Sequence, residues 1–502
     1  MRSKLKKMFT ALVVLLSAKA YSQQNIIFSA QKGTVSKRDT ITLTAAAKSA
    51  KLASGDTASF TIIERMKNKL VVVYKPAPDF TGINRAAIQV TNAANKSIAE
   101  IHLTGLSTKG LEGENEAPLS LIADALGYQV NIGWPGLANH SRPELQGDES
   151  GASLFHKAGK GNVEIIPVAR YSPDFELPFG YYVDVAAAPQ LHEVGVLAKA
   201  GAFPEHQTLF PAIARGGHSF DPGDQSFGFY ATGPTHNAYS EDVWNMLLHP
   251  ANAVRATRIY PLKDASGKLL NHTYLLCFEE AKNGDYNDYV FLVKNVAPVT
   301  KDLFTRLFNG KNLDGWHTFM KDIGVNADPD KNFTIEDSVL HVLGKDLGYA
   351  ITDKGYADYH FKVDFKWGER RWGSRQNSKR DAGVCYNIPK DEPDSIWPRA
   401  IECQIQEGDV GDFWMLGFST IKVNGVINKP ANHTRMIKQK DGEKPTGQWN
   451  TLEIISYHGK CVHIVNGIVV NVGEEATVKD GRILLQSEYA EVYYKNVMIR
   501  QL

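Results

Sequence analysis

Apolar and polar positions alternate with a period of two along most of this chain, the pattern of strands that bury one face and show the other. Between residues 24 and 105 the runs DTITLTA, ASFTIIE, KLVVVYKP, AAIQVTN and AEIHLTG are separated by turn residues. They predict a small β-sandwich domain over 23–105. The pattern changes in LSTKGLEGENEAPLSLIADALGYQVNIGW. There Pro118 can occupy a first helical turn, Leu119, Ile122, Ala123 and Leu126 recur at helical spacing, and Gly127 stops the helix.

Strand patterns return in NVEIIPVAR, GYYVDV, QSFGFYAT, RATRIYPL, HTYLLCFEE and YVFLVKNV. A second β-rich domain with one short helix is therefore expected over 106–300. Pro298 and the charged KDLFTRL mark the next boundary. In YADYHFKVDFKW, Tyr359, Phe361, Val363, Phe365 and Trp367 share one face, with His360, Lys362, Asp364 and Lys366 on the other. Many such short strands with almost no helical pattern predict two curved antiparallel sheets, a jelly roll, over 301–502. The fold class expected for the whole chain is all-β and multidomain.

Residues 1–22 read differently: a basic start, an apolar stretch from Phe9 to Leu16, and small residues at Ala20 and Ser22. That is the pattern of an export signal cut before Gln23. The stretch is shorter than a membrane span needs, and no later run approaches one, so an exported protein, periplasmic or extracellular, without a transmembrane segment is expected. The first 22 residues carry five basic side chains and no acid, which leaves 51 basic against 55 acidic residues in the rest of the 502. A chain with that balance lacks the basic excess of a phosphate-backbone binder, so nucleic acid is excluded as a partner. Cys277, Cys385, Cys403 and Cys461 each lie in an apolar strand-like run with no metal-binding spacing. They read as buried thiols.

The candidate chemistry centres on RAIECQIQEGDV. Period two sends Glu402, Gln404 and Gln406 to one face and Ile401, Cys403 and Ile405 to the other. A carboxylate between amides is costly in an apolar core and suits a polar groove that reads sugar hydroxyls. His463, in KCVHIVNG, is mid-strand before an Asn466-Gly467 turn and is the candidate acid/base partner of Glu402. Arg399 and Gln486 occupy neighbouring strand positions, while Trp372 and Trp397 interrupt polar loops and could stack on a sugar ring. In CFEEAKNGDYNDYVF the acids Asp285 and Asp288, with Glu279 and Glu280, could hold calcium near a strand turn. A divalent cation is the cofactor this allows; no organic cofactor is expected.

Two resemblances add to this reading. PAPDFTGINRAAIQVTN resembles one hairpin of bacterial immunoglobulin-like modules. More extensively, LFNGKNLDGWH, IECQIQEGD, PTGQWNTLEIISYHGKCVHIVNG, GRILLQSE and VYYKNVMIRQL, in that order, resemble the bacterial 3-keto-disaccharide hydrolase domain. That family is similar to laminin-G-like and concanavalin-like jelly rolls. The resemblance implies a carbohydrate or glycoside partner and cleavage of a 3-ketoglycoside by removal of the C2 proton, elimination and hydration. Its Glu-x-Gln motif falls on Glu402 and Gln404, with Glu402 as base, Gln404 as an orienting group and His463 as proton donor or metal ligand. The chain departs from the family in reading Asp381-Ala382-Gly383 in place of Asn-Ser-Gly, and Gln486-Ser487-Glu488 in place of Gln-Asp-His. Two alternatives stand beside this expectation: a non-catalytic glycan-binding or adhesion protein, and a two-carboxylate glycosidase using Glu402 with Glu407.

Overall fold

The computed structural model describes residues 24–43, 47–66, 68–110, 116–133, 144–185, 188–200, 205–250, 255–279, 284–300 and 302–502. The expected export segment lies outside them. Strands dominate, arranged in several sheets whose pairs are antiparallel except for Gln24–Gln31 with Ser97–Thr108, which is parallel, and among the described residues no helix is long and apolar enough to cross a membrane.

The first stretch is a sandwich. One sheet runs Gln24–Gln31, Ser97–Thr108, Gly82–Thr91, Ser49–Gly55; the other runs Asp39–Thr42, Lys69–Tyr74, Phe60–Met66. Phe28, Ile41, Phe60, Val72, Tyr74, Ile88 and Ile101 fill the space between them. Gly105 is required there, because a Cβ at this position would stand 2.4 Å from the Tyr74 ring.

In the second stretch, strands Glu205–Leu209, Val163–Pro173, Tyr289–Lys294, Leu269–Phe278 and Thr257–Lys263 run in that order through a sheet covered on both sides. Ile165, Leu276, Phe278 and Phe291 face a second sheet. Ile166, Leu275, Cys277 and Leu292 face the helix Leu119–Ala125 and Leu106 of the first sandwich. Burial on both faces explains why YLLCF and YVFLV read as continuous apolar runs. The helix expected at Leu119 is present and Gly127, at φ +84°, follows it. A second helix, Asp242–Leu248, corrects the expectation of one. Five of its seven residues are buried, Val243 through Leu247, so no amphipathic period announces it.

From Thr305 onward a ten-stranded and a nine-stranded sheet enclose one large core. Tyr359, Phe361, Val363, Phe365 and Trp367 all point into it, as the alternation predicts. All four cysteines are buried and unbridged.

The outer face of the ten-stranded sheet is also apolar, and it is covered. Ile455, Tyr457, Val462, Ile464 and Val469 form one cluster with Tyr182, Tyr239, Val243, Trp244 and Leu247 of the second stretch. Trp244 meets the Tyr457 ring edge-on at 5.9 Å between centroids. A buried ion pair, Arg500 to Glu241 at 2.8 Å, crosses the same interface. Tyr182 donates a hydrogen bond to the other Glu241 oxygen at 2.9 Å.

Replacing Trp244 with alanine removes the largest side chain of this shared core. Cavity formation should then cost about 3–5 kcal/mol of stability, measurable by denaturant unfolding of the full chain. A 302–502 fragment, with Val462 and Ile464 uncovered, is expected to melt below the corresponding transition of the full chain; equal melting temperatures would show that the interface adds nothing.

Candidate active site

The outer face of the nine-stranded sheet carries the polar side chains. Backbone pairing aligns two rows across it. Ile351, Leu484, Cys385, Glu402 and Trp414 follow one another on adjacent strands, as do Phe319, Tyr349 and Gln486 in the next row. Gly383, two residues before Cys385 and paired with Gln404, continues the second row beside Gln486. Lacking a side chain, it leaves a notch that the Glu402 carboxylate fills: a Cβ there would stand 2.0 Å from Glu402 Oε1 and 2.8 Å from Gln486 Oε1.

Glu402 is nearly sealed, with 5% exposure. Burial drives its pKa well above the usual carboxylate range, and the charges of Glu488 and Asp381 push it further in that direction. A side-chain hydrogen bond from Gln486 opposes the shift without cancelling it. The neighbouring acids are raised as well. Burial and the Asp381 charge push Glu488 up to about 7 against the pull of Arg375. Asp381 is raised by burial, against the pull of Arg375 and a hydrogen bond from Gln406.

Arg375 binds both partners, contacting Asp381 directly and Glu488 at 3.2 Å. Arg375 and Glu488 are the solvent-facing members, with 23% and 19% of their side chains accessible. Among the described residues, Asp381 Oδ1 and Gln486 Oε1 are buried with no hydrogen-bond donor. Three carboxyls, two of them sharing one guanidinium, and the Gln486 amide oxygen make a site short of hydrogens. Carboxyls crowded in this way compete for protons, and each charge raises its neighbours' pKa.

The sequence places Glu402, Gln404 and Gln406 on the face that the structure gives them. Gln404 Oε1 accepts the N–H groups of Ile405 and Gln406 at 2.8 and 3.0 Å, shaping the strand end. Gln406 Nε2 donates to Asp381 Oδ2 at 2.7 Å and so fixes that carboxylate. Gln486 lies beside Glu402, with its amide 3.3 Å from Cys385 Sγ. Trp397 packs over the apolar part of this face. Arg399 is exposed on the flank. Trp372 donates its indole N–H to Leu343 O at 3.1 Å and anchors a loop.

His463 does not join Glu402. It projects into the core between the sheets, fully buried, with its ring centroid 3.9 Å from that of Phe413. Tyr386, which faces the core from the nine-stranded sheet, lies 2.9 Å from His463 Nε2. Nδ1 is 3.0 Å from Gly411 O. The sheet itself separates this ring from the Glu402 carboxylate. Burial depresses its pKa to about 3, so the imidazole is neutral, donating at Nδ1 and accepting at Nε2. Alternation gave the correct face; it could not tell that this face is the inner one. Glu407, the other possible partner, is tied at 2.9 Å to Arg380 and accepts from Thr446 at 2.7 Å. Its pKa is lowered.

Asp381, Glu488, Arg375 and Trp414 are the members that sequence reasoning did not select. The first two stand at the departures from the family motif, which was the available signal. Arg375 sits in a basic loop run that reads as solvated, and Trp414 needed the register with Glu402. Farther along the face, Asp394 receives Tyr349 OH at 3.0 Å and lies 3.2 Å from His317 Nε2. This pins the 389–399 loop across that end. Asp285 and Asp288 lie elsewhere, in the second stretch. They converge with Glu279 so that one oxygen of each falls within 4.8 Å of the others, a set that could coordinate a divalent metal. Glu280 lies outside the described residues.

Comparison with known proteins agrees with the motif resemblance. Residues 303–500 match the family model of the 3-keto-alpha-glucoside-1,2-lyase-like domain. A 3-keto-disaccharide hydrolase of Bacteroides thetaiotaomicron is 27% identical over 175 residues, covering 33% of this chain and 57% of that protein. The chain thus spans a little over half the length of this curated relative. Among solved structures, a Parabacteroides distasonis protein described provisionally as a glycosyl hydrolase is 20% identical. It covers 40% of this chain and 94% of its own, with a TM-score of 0.30. A Bacillus licheniformis β-glucanase is 12% identical over 40% of this chain and 97% of its own, with a TM-score of 0.27.

His463 ties stability to pH in a defined direction. Its folded pKa of about 3 lies below the ordinary histidine value. Between these values the unfolded chain binds the extra proton, so its contribution to stability weakens as pH falls from about 6.5 toward 3, by up to about 1.4 kcal/mol per pH unit. His463→Gln should flatten that part of the stability profile measured by denaturant unfolding. An unchanged slope would contradict the sealed, neutral ring.

Proposed function

We propose that the C-terminal jelly roll cleaves a 3-ketoglycoside, with Glu402 and Glu488 moving the protons. The observation that carries this reading is the trio Glu402, Asp381 and Glu488 on one sheet face, all with raised pKa values. The match of residues 303–500 to a 3-keto-alpha-glucoside-1,2-lyase-like family supports the choice of substrate class. A 3-keto group acidifies the hydrogen at C2. Removing it places the electron pair in an enolate, and expulsion of the C1 oxygen then leaves a C1=C2 bond conjugated with the ketone. Water adding at C1 completes a net hydrolysis.

The chemistry needs a base for the C2 hydrogen and an acid for the departing oxygen. Glu402 lacks a cationic partner and sits deepest, so it is the group that retains a proton at neutrality and serves as the acid. This reverses the base role expected of it from the motif. Glu488, nearer solvent and paired with Arg375, is the base. Arg375 at the mouth supplies positive charge for the oxyanion that develops. Gln406 positions Asp381, and Trp414, next to Glu402 in register, offers a ring face to the sugar.

The two-carboxylate glycosidase reading loses its expected second member, since Glu407 is committed to Arg380. A glycan-binding groove has no use for three acids that compete for protons at one point, and this favours catalysis over binding alone.

Assay of 3-keto and unoxidised disaccharides with the wild type is expected to give turnover of the oxidised sugar only. Glu402→Gln and Glu488→Gln should each lower kcat by about 10²–10⁴-fold. The wild-type kcat/KM should rise as pH climbs through about 7, where Glu488 loses its proton. It should fall again at higher pH as Glu402 ionises, and Glu488→Gln should remove the rising limb. Turnover confined to the unoxidised sugar would overturn the proposal. Gly383→Ala, which drives a methyl into the Glu402 carboxylate, should abolish activity while circular dichroism shows the strands intact.

A further inference from the structure

A second group of buried acids lies outside the jelly roll, where the strand Leu269–Phe278 turns back toward Tyr289–Lys294. Glu279 is fully buried. Its Oε2 accepts three backbone N–H groups, from Gly284 and Asp285 at 3.0 Å and Tyr286 at 3.3 Å. Tyr286 adopts φ +57° as the chain folds around that oxygen. The other oxygen, Oε1, is buried and has no hydrogen-bond partner among the described residues. Asn287 repeats the pattern: its Nδ2 donates to Ala117 O at 2.9 Å, while its Oδ1 is buried and unsatisfied.

Asp285 and Asp288 bring two further buried carboxylates, close enough for one oxygen of each to share a ligand with Glu279. Arg258 lies over the Tyr286 ring at 4.7 Å, with its guanidinium bound to Glu149. Three buried carboxylates converging on one point repel one another unless a cation lies between them or a proton is shared.

We propose that Glu279, Asp285 and Asp288 bind a calcium ion that fastens this turn against the segment entering the helix Leu119–Ala125. Calcium is favoured over magnesium because the oxygens are protein atoms in a dry setting. Magnesium keeps several of its waters, whereas calcium accepts cages of carboxylate and carbonyl oxygens with flexible geometry. The turn is already joined to that segment through Asn287 and Ala117 and to the neighbouring strand through Tyr171 N–H donating to Asp288 O at 3.1 Å. An ion held there would stiffen the junction of the first and second β-rich stretches. This inference is independent of the Glu402 chemistry and is read without an activity assay.

The test uses the full chain after treatment with a chelator. Titration with calcium chloride, followed by calorimetry, should show one site per chain and raise the melting temperature by several degrees. Glu279→Gln and Asp288→Asn should each weaken that binding by about tenfold or more, comparable with other losses at metal sites. No binding by the wild type at about 10 mM calcium, beyond the weak end of extracellular calcium modules, would overturn the proposal even if both variants failed to fold. Equal affinity for magnesium would overturn the choice of ion, and binding untouched by both substitutions would overturn the location.

Discussion

The arrangement depends on covering apolar sheet faces. A strand that buries both of its faces needs a partner layer on each side, and here consecutive parts of the chain supply those layers for one another. The first sandwich and the helix Leu119–Ala125 cover one face of the central sheet of the second stretch. The helix Asp242–Leu248 and its neighbours cover the outer face of the ten-stranded sheet. The second stretch is therefore part of the packing that holds the ten-stranded sheet. Once that face is taken, the outer face of the nine-stranded sheet is the one that carries polar chemistry.

On that face a single missing side chain, that of Gly383, decides how deeply the Glu402 carboxylate lies. Gly383 allows the Glu402 carboxylate to sink against the sheet, where water cannot stabilise its charge. Asp381 and Glu488 then make ionisation harder still, and one guanidinium, Arg375, is shared between them. The site gathers acids whose proton affinities are separated by depth. Groups differing in this way can serve as acid and base within one turnover.

The departures from the family motif acquire meaning in this setting. Asp381 and Glu488 occupy the positions where the resemblance leads one to expect an amide and a histidine. Each exchange adds a carboxylate to the Glu402 neighbourhood, and Arg375 answers both. The changes are coupled through one side chain. They bear on charge and protonation while leaving the strands that carry them in the same pairing.

Local period, read from the sequence, determined the predominance of strands, the shared row from Tyr359 to Trp367, the helical spacing at Leu119 and the common face of Glu402, Gln404 and Gln406. These follow from local period, because side chains two apart on a strand must share a side. The sequence also held Asp285 and Asp288 together near one turn. Period cannot say which side of a sheet is the core, and tertiary packing decided that for His463: its strand lies in the opposite sheet and presents the ring to Tyr386 and Phe413. Nor can local pattern join Arg375 in one loop to Glu488 more than a hundred residues later. The sequence supplied the reactive residue types; the pairing of distant strands decided which carboxyls met, which were buried, and so where the protons reside.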